Sequence, residues 1–183
     1  SLLKEENTIQ LQLADNRSLN NATPHSLRLI INKANTNALV NEGFWGINTI
    51  KGETYQLSFY ARAAQFKGNI TASLQSADGR ILASTIINNI SGNNWKKYTA
   101  VLKATASDPR AKFVLSFGST GTVWLDVVSL FPSSTFKNRS NGLRKDLAQC
   151  IADLHPAFVR WPGGCYVEGI SIQNTPEWKN SIG

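Results

Sequence analysis

The sequence has no methionine and only two cysteines and two histidines among its 183 residues. Two cysteines cannot define a disulfide framework. His25 and His155 lie far apart, and no Cys/His spacing typical of a metal site occurs. No apolar run approaches the roughly 18 residues of a membrane span, and neither a phosphate-binding loop nor an aspartate-rich calcium loop is present. These side-chain patterns therefore predict no metal, no cofactor and no membrane partner, and a calcium ion held by backbone carbonyls stays open as an alternative.

Negative charge is also scarce, because 19 Lys and Arg face 12 Asp and Glu, for a net charge of +7. Such a balance can signal nucleic acid or an anionic polysaccharide as the partner. The basic residues are scattered, however, and cluster only at Lys96-Lys97 and around Arg139 and Arg144-Lys145. No series of lysines alternates with stacking aromatic residues, so we expect no nucleic-acid partner.

Residues 1 to about 132 consist of short runs in which apolar and polar side chains alternate. In the run 55–63, one face carries Tyr55, Leu57, Phe59, Ala61 and Ala63. Asp78-Gly79 is a hairpin signal. Many short strands with one polar and one apolar face predict a mainly β domain, a jelly-roll-like antiparallel sandwich, over residues 1–132. The other runs cover residues 9–13, 26–31, 70–75, 95–102, 113–117 and 123–130.

The last quarter of the sequence has the pattern of a parallel α/β fold. Apolar residues recur at helical spacing over about 141–154, and His155-Pro156 ends the predicted helix, because the residue before proline is pushed out of the α region. A short apolar run then leads to Arg160, and a Pro-Gly-Gly turn follows. Arg160 lies at the C-terminal end of the predicted strand, which is where barrel enzymes have their active sites. The helical stripe consists of Leu143, Leu147, Ile151 and Leu154.

Residues 142–169 closely resemble the start of the catalytic barrel in α-L-arabinofuranosidases of glycoside hydrolase family 51, of the plant and Bacteroides type. The motif that carries the resemblance is (G)LRKDLAxxxADLxPxFVRxPGGCxVEG. A complete (β/α)₈ barrel needs roughly 250 residues, and only about 50 follow from Ser133 onward. We therefore expect residues 133–183 to be an αβ segment of an incomplete barrel, and the chain to be a fragment of a larger enzyme.

Residues 1–132 resemble, more loosely, the carbohydrate-binding modules of families 4 and 9. The order of four segments carries this resemblance: 43–47, 52–62, 95–98 and 123–130. In the resembling arabinofuranosidases such a module lies directly before the Leu-Arg-Lys-Asp-Leu segment. The same order here joins the two halves of the chain into one interpretation.

The resemblance also implies where the chemistry lies. Glycoside hydrolysis needs two carboxylates across the scissile bond, and in the resembling family these are glutamates on later barrel strands, at positions that this sequence does not contain. Arg160 matches the family's active-site arginine and Cys165 a residue near the arabinose pocket; alternatively, Arg160 only bonds loop carbonyls. We expect no catalytic residue among the acidic residues of the segment, Asp146, Asp153, Glu168 and Glu177.

A sugar-binding sandwich would place aromatic rings, side-chain amides and guanidinium groups on one solvated face. Trp45 and Trp124 are the candidate stacking residues. The alternative is that Trp95 and Trp45 belong to the core, and that polar alternation is what any half-solvated sheet displays. The candidate face consists of Gln56, Ser58, Tyr60 and Arg62, with Thr71, Ser73 and Gln75 on the neighbouring strand.

These resemblances imply a secreted or periplasmic, retaining α-L-arabinofuranosidase whose partner is a plant cell-wall polysaccharide or arabino-oligosaccharide. The 183-residue chain alone is expected to be inactive. Two alternatives stay open: a standalone glycan-binding sandwich with a structural αβ tail, and a structural insert that positions the barrel. Because its helical stripe needs cover, we expect the 141–160 segment to dock onto the sandwich or to join two chains in a homo-oligomer.

Overall fold

The structure, a computed structural model, describes residues 2–3, 8–15, 17–21, 23–36, 38–158, 169 and 171–175. Its helix is α1 (Lys145–Asp153), and short 3₁₀ helices cover Phe136–Asn138 and Ile172–Asn174. The strands are β1 (Leu2–Leu3), β2 (Ile9–Ala14), β3 (Ser26–Ile31), β4 (Ala38–Asn41), β5 (Ile47–Thr49), β6 (Thr54–Ala64), β7 (Gly68–Gln75), β8 (Ile81–Ile90), β9 (Lys96–Lys103), β10 (Asp108–Phe117) and β11 (Gly121–Pro132).

The chain forms two compact units, Ser1–Lys145 and Asp146–Gly183. The first unit contains all of these strands, and β11 ends at Pro132. The segment after β11 pairs with itself where Thr135 bridges Arg144. The domain boundary after residue 132 that we expect from the sequence stays a prediction.

The strands form two antiparallel sheets, which confirms the predicted mainly β sandwich. The first sheet has the order β1-β4-β10-β7-β8, with β5 also paired to β10. The second sheet has the order β2-β3-β11-β6-β9. Strands that are neighbours in the sheets are mostly distant in sequence, as in Greek-key sandwiches.

The core lies between the sheets and uses the faces that the alternation predicts. On β6 the inward residues include Leu57 and Phe59, which are buried, and the Phe59 ring stacks on Tyr98 with centroids 5.6 Å apart. From the first sheet, Ile70 and Leu74 join the same apolar cluster. Burying each such side chain contributes about 1.5–3 kcal/mol, so this cluster holds the two sheets together.

The Asp78-Gly79 turn between β7 and β8 confirms the hairpin signal. Gly79 has φ +86°, and its N–H donates to the Ser76 carbonyl at 3.0 Å. The sequence patterns did not predict β8, because its alternation is interrupted. Its pairing with β7 shifts register at both ends of the strand, and such bulges move successive side chains off a strict two-residue period.

Helix α1 is shorter than the 141–154 span expected from the sequence. Its apolar stripe is exposed, with 56% of Leu147 and 57% of Ile151 accessible. Cys150, next to Ile151 on α1, is also exposed. Burial of this stripe is therefore not observed, and its burial against another chain stays a prediction. Within the described residues, no helix is long and apolar enough to cross a membrane.

Candidate functional site

The residues predicted to form one polar surface lie on two different sheets. Gln56, Tyr60 and Arg62 point outward from β6 in the second sheet, whereas the run 70–75 belongs to β7 in the first sheet. The expectation that Thr71, Ser73 and Gln75 extend the β6 face is wrong, because β6 pairs with β11 and β9. The polypeptide crosses from one sheet to the other between these two strands, although they are consecutive in sequence.

A row of large polar and aromatic side chains crosses the outer face of the second sheet. In the strand register, Gln12 is opposite Arg28, Arg28 is opposite Trp124, and Trp124 is opposite Arg62. Arg28 Nη1 donates to Gln12 Oε1 at 3.0 Å. Trp95, the residue before β9, lies beside Arg62 and completes the row. We call these five residues the arginine–tryptophan row.

Stacked guanidinium groups hold the centre of this row. The guanidinium carbon of Arg62 lies 3.8 Å from the Trp124 ring centroid and 5.5 Å from that of Trp95, and the guanidinium carbon of Arg28 lies 5.5 Å from Trp124. Arg62 Nη1 also donates to Asn93 Oδ1 at 3.1 Å. Arg62 and Trp124 are only 3% and 8% exposed, so Trp124 supports the guanidinium groups and does not present an open ring face to a sugar.

The outer face of the second sheet is positively charged. Burial lowers the pKa of Arg62 from its usual value, and the nearby charges of Arg17 and Arg28 lower it further. An arginine keeps its charge despite such a shift, because its ordinary pKa exceeds 12. The Arg17 carbonyl accepts a hydrogen bond from Trp95 Nε1 at 2.8 Å, which brings this third arginine to the end of the row. Cations thus converge on one region of the sheet.

The rest of this face combines hydroxyl, amide and ammonium groups. Tyr60 is half-buried, with Lys97 Nζ 5.8 Å from its ring centroid, and Asp126 lies opposite Tyr60 in the register. Gln56 is exposed and donates through Nε2 to Ser133 Oγ at 3.2 Å. These groups can donate and accept hydrogen bonds with a hydroxylated ligand.

Trp45 lies away from this face, in the turn between β4 and β5, both of which pair with β10 in the first sheet. Phe44 and Trp45 are 86% and 84% exposed, and their rings contact edge to face at 4.6 Å. Trp45 is therefore not a core residue. The turn is pressed against β10 at Gly46, where an added Cβ would lie 2.3 Å from Arg110 Cα. Only glycine permits this close approach.

A polar groove, which the sequence patterns did not predict, lies at the β7–β8 end of the first sheet. Its volume is about 790 Å³. The register shift between Gly68 and Ile70 forms a bulge here, and Asn89 adopts φ +61°. The only local signal in the sequence is its asparagines. The lining residues are Lys67, Gly68, Asn69, Asn88, Asn89, Ile90, Ser91 and Gly118.

Few of the candidate site residues in the barrel-like segment belong to the part of the chain that the structure describes. Arg160 and Cys165 lie outside the described residues. Asp146 and Asp153 are exposed on α1, and Gln149 Nε2 donates to Asp153 Oδ1 at 2.7 Å. In the described part of the chain, no three His, Cys, Asp or Glu side chains group in a way that could hold a metal ion.

Sequence comparison relates the chain to arabinose-releasing enzymes. The family described as the alpha-L-arabinofuranosidase 1 domain matches residues 150–183. Alpha-L-arabinofuranosidase 1 of Arabidopsis thaliana is 40% identical over 148 residues, which are 78% of this chain and 21% of that protein. The extracellular exo-alpha-L-arabinofuranosidase of Streptomyces chartreusis is 36% identical over 176 residues, or 90% of this chain and 20% of that protein. The chain thus spans about a fifth of the length of these relatives.

Comparison with solved structures relates the chain to the same group of enzymes. The structure of an arabinose-bound GH51 α-L-arabinofuranosidase matches 96% of this chain with a TM-score of 0.82 and 34% identity, and the match covers 30% of that chain. One alignment therefore includes both the sandwich and the segment after it. By sequence and by fold, the chain is a relative of α-L-arabinofuranosidases and corresponds to a minor part of their length.

Proposed function

We propose that this chain belongs to a secreted, retaining α-L-arabinofuranosidase and comprises a carbohydrate-binding-module-like sandwich and the start of the catalytic barrel. Similarity to arabinofuranosidases over 78–90% of the chain supports the enzyme class. The observation that carries sugar binding by the sandwich is the outer face of the second sheet, where aromatic rings lie among amide, hydroxyl and guanidinium donors. The substrate is an arabinose-containing plant polysaccharide.

The catalytic step needs residues beyond this chain. A retaining glycosidase places two carboxyl groups about 5–5.5 Å apart, one as acid/base and one as nucleophile. The family resemblance assigns both to glutamates on later barrel strands. In the whole enzyme, we propose that Arg160 binds the arabinose or orients a catalytic glutamate, because a guanidinium donates several fixed hydrogen bonds, and that Cys165 lines the same pocket. The 183-residue chain alone should leave a chromogenic arabinofuranoside intact.

The sandwich can contribute weak polysaccharide binding. Tyr60 offers a half-exposed ring and a hydroxyl, and Gln56 and Gln12 offer amides on the same face of the sheet. Stacking plus a few hydrogen bonds supports roughly 4–8 kcal/mol after ordering costs, which corresponds to millimolar to micromolar dissociation constants. Such an affinity suits a module that holds the enzyme near its substrate.

Calorimetric titration of the 183-residue chain with arabinoxylan and arabinan oligosaccharides tests this function. We expect the chain to bind these oligosaccharides and Tyr60→Ala to weaken the binding at least tenfold, with a loss of only about 1–4 °C in melting temperature. Trp45→Ala, which removes an aromatic ring from the other sheet, is the matched control and should bind normally. If Trp45→Ala abolished binding and Tyr60→Ala did not, the binding site would lie at the β4–β5 turn instead. Absence of binding across the panel would overturn sugar binding by the sandwich.

A structural role that positions the barrel is the second candidate function. It is favoured by the exposed Phe44–Trp45 pair on a turn that Gly46 presses against β10, because exposed apolar patches mark interaction sites. In the full-length enzyme, Trp45→Ala should then lower the melting temperature, although Trp45 is exposed in this chain. An unchanged melting temperature of the full-length variant would exclude this role for the turn.

A further inference from the structure

We propose that the outer face of the second sheet recognises an acidic polysaccharide, one whose sugars carry uronate carboxylates, in preference to a neutral one. This inference rests on the proposed function and specifies the ligand class of its sugar-binding face. The charge of the face, the spacing of the charges and the contacts that hold the arginines support this ligand class.

The charge of this face is strongly unbalanced. Arg28, Arg62, Lys97 and Lys103 project outward from β3, β6 and β9, and Asp126 is the acidic side chain that the same strands and β11 project on this side. Arg17 adds a further cation at the end of the arginine–tryptophan row. On the first sheet, by contrast, Lys112 forms an ion pair with Glu42 at 2.9 Å. A surface of one sign attracts ligands of the opposite sign.

The charges are spread in a way that fits a polymer better than a single small anion. Arg28 on β3 is separated from Lys97 on β9 by two intervening strands, which places these strands about 14 Å apart at the usual spacing between neighbours. Lys103 lies six residues beyond Lys97 on β9, about 20 Å along the strand. Carboxylates repeated along an extended chain can contact several of these cations at once.

The arginines are also held in place before any ligand binds. The guanidinium carbon of Arg28 lies 5.5 Å from the Trp124 ring centroid and its Nη1 donates to Gln12, so two contacts restrain the side chain. A guanidinium donates parallel N–H bonds to a carboxylate, and pre-organised side chains lose less entropy on binding. Arg62 is buried between two tryptophans, and its charge adds to the positive potential without needing direct contact with the ligand.

Nucleic acid, the other common polyanion, fits this face less well. Base recognition on single strands depends on open aromatic rings on which bases stack. Trp124 is 8% exposed, and the Arg62 guanidinium lies 3.8 Å from its ring centroid and 5.5 Å from that of Trp95. The surface thus offers many cations and hydrogen-bond donors beside the half-exposed Tyr60 ring, whereas Trp124 is covered. This balance suits a carboxylated glycan better than a strand of stacked bases.

The test compares the 183-residue chain on polygalacturonate and on the same polymer after reduction of its carboxyl groups, by calorimetry in 20 and 300 mM NaCl. We expect at least tenfold tighter binding to the acidic form, and at least a tenfold loss at the higher salt concentration because salt screens exposed charges. The double variant Lys97→Gln/Lys103→Gln should lose at least tenfold in affinity for the acidic polymer. A double variant is used because removing one of several cations changes binding only a few-fold.

The matched control is Arg80→Gln/Lys112→Gln, which removes the same charge from the first sheet and its β7–β8 turn and should change binding less than threefold. An equal loss in this control would show an effect of net charge alone and overturn the proposal. Tighter binding of single-stranded DNA than of polygalacturonate would also overturn it. Equal binding of the acidic and reduced polymers would overturn the acidic preference while sugar binding stands. Failure of all glycans, the neutral arabinose polymers included, would overturn sugar binding by the sandwich as well.

Discussion

Stacking of Arg62 on Trp124 should be among the stronger single interactions on the outer face of the second sheet. The guanidinium lies 3.8 Å from the ring centroid, and Arg62 is 3% exposed. A desolvated cation–π contact contributes about 2 kcal/mol or more. In a double-mutant cycle with Arg62→Met and Trp124→Leu, we therefore expect a coupling free energy of about 2 kcal/mol. For a chain of this length, that energy corresponds to about 4–8 °C in melting temperature.

Urea unfolding followed by far-UV circular dichroism measures this coupling without relying on the fluorescence of the tryptophan that is replaced. The control cycle combines Lys97→Met with Tyr60→Leu, where the ammonium lies 5.8 Å from the ring on a more exposed surface. There we expect about 0.5–1 kcal/mol. A coupling at Arg62–Trp124 below about 0.5 kcal/mol, or no larger than that of the control, would refute the reasoning.

Gly46→Ala should cost about 2–4 kcal/mol in urea unfolding, because the new methyl group meets the β10 backbone and φ is +96°; Gly79→Ala, at φ +86° in open space, should cost about 1 kcal/mol. Burial raises the pKa of Tyr55, as does the nearby charge of Glu53. The neutral Tyr55 side chain therefore contributes fully to stability below about pH 10, and this contribution is lost as the pH rises through the raised pKa. In Tyr55→Phe this alkaline loss should shrink, and an unchanged pH profile would contradict the assignment. Leu147→Glu/Ile151→Glu should leave the unfolding free energy within about 0.5 kcal/mol and reduce self-association in sedimentation experiments; a large loss of stability would show that the chain itself covers the stripe.

Local patterns in the sequence were enough to predict most of the strands and, for β6, the side that faces the core. The alternation over 55–63 identified the inward residues of β6, because successive side chains of a strand point to opposite faces whatever its neighbours are. Asp78-Gly79 located a hairpin for a similar reason, since a tight turn depends on the backbone freedom of adjacent residues. The barrel-like motif at 142–169 led directly to the enzyme family, although Arg160 and Cys165 stay predictions.

Only the tertiary structure decided which strands are neighbours, and with that the composition of the candidate surface. β6 and β7 are consecutive in sequence yet belong to different sheets, so Gln75 cannot extend the face that carries Gln56. The contact of Trp124 with Arg28 and Arg62 depends on the register of β11 with two strands far away in sequence. Composition and alternation carry no information about such pairings, because the energy of a cross-strand contact arises only once the sheets have formed.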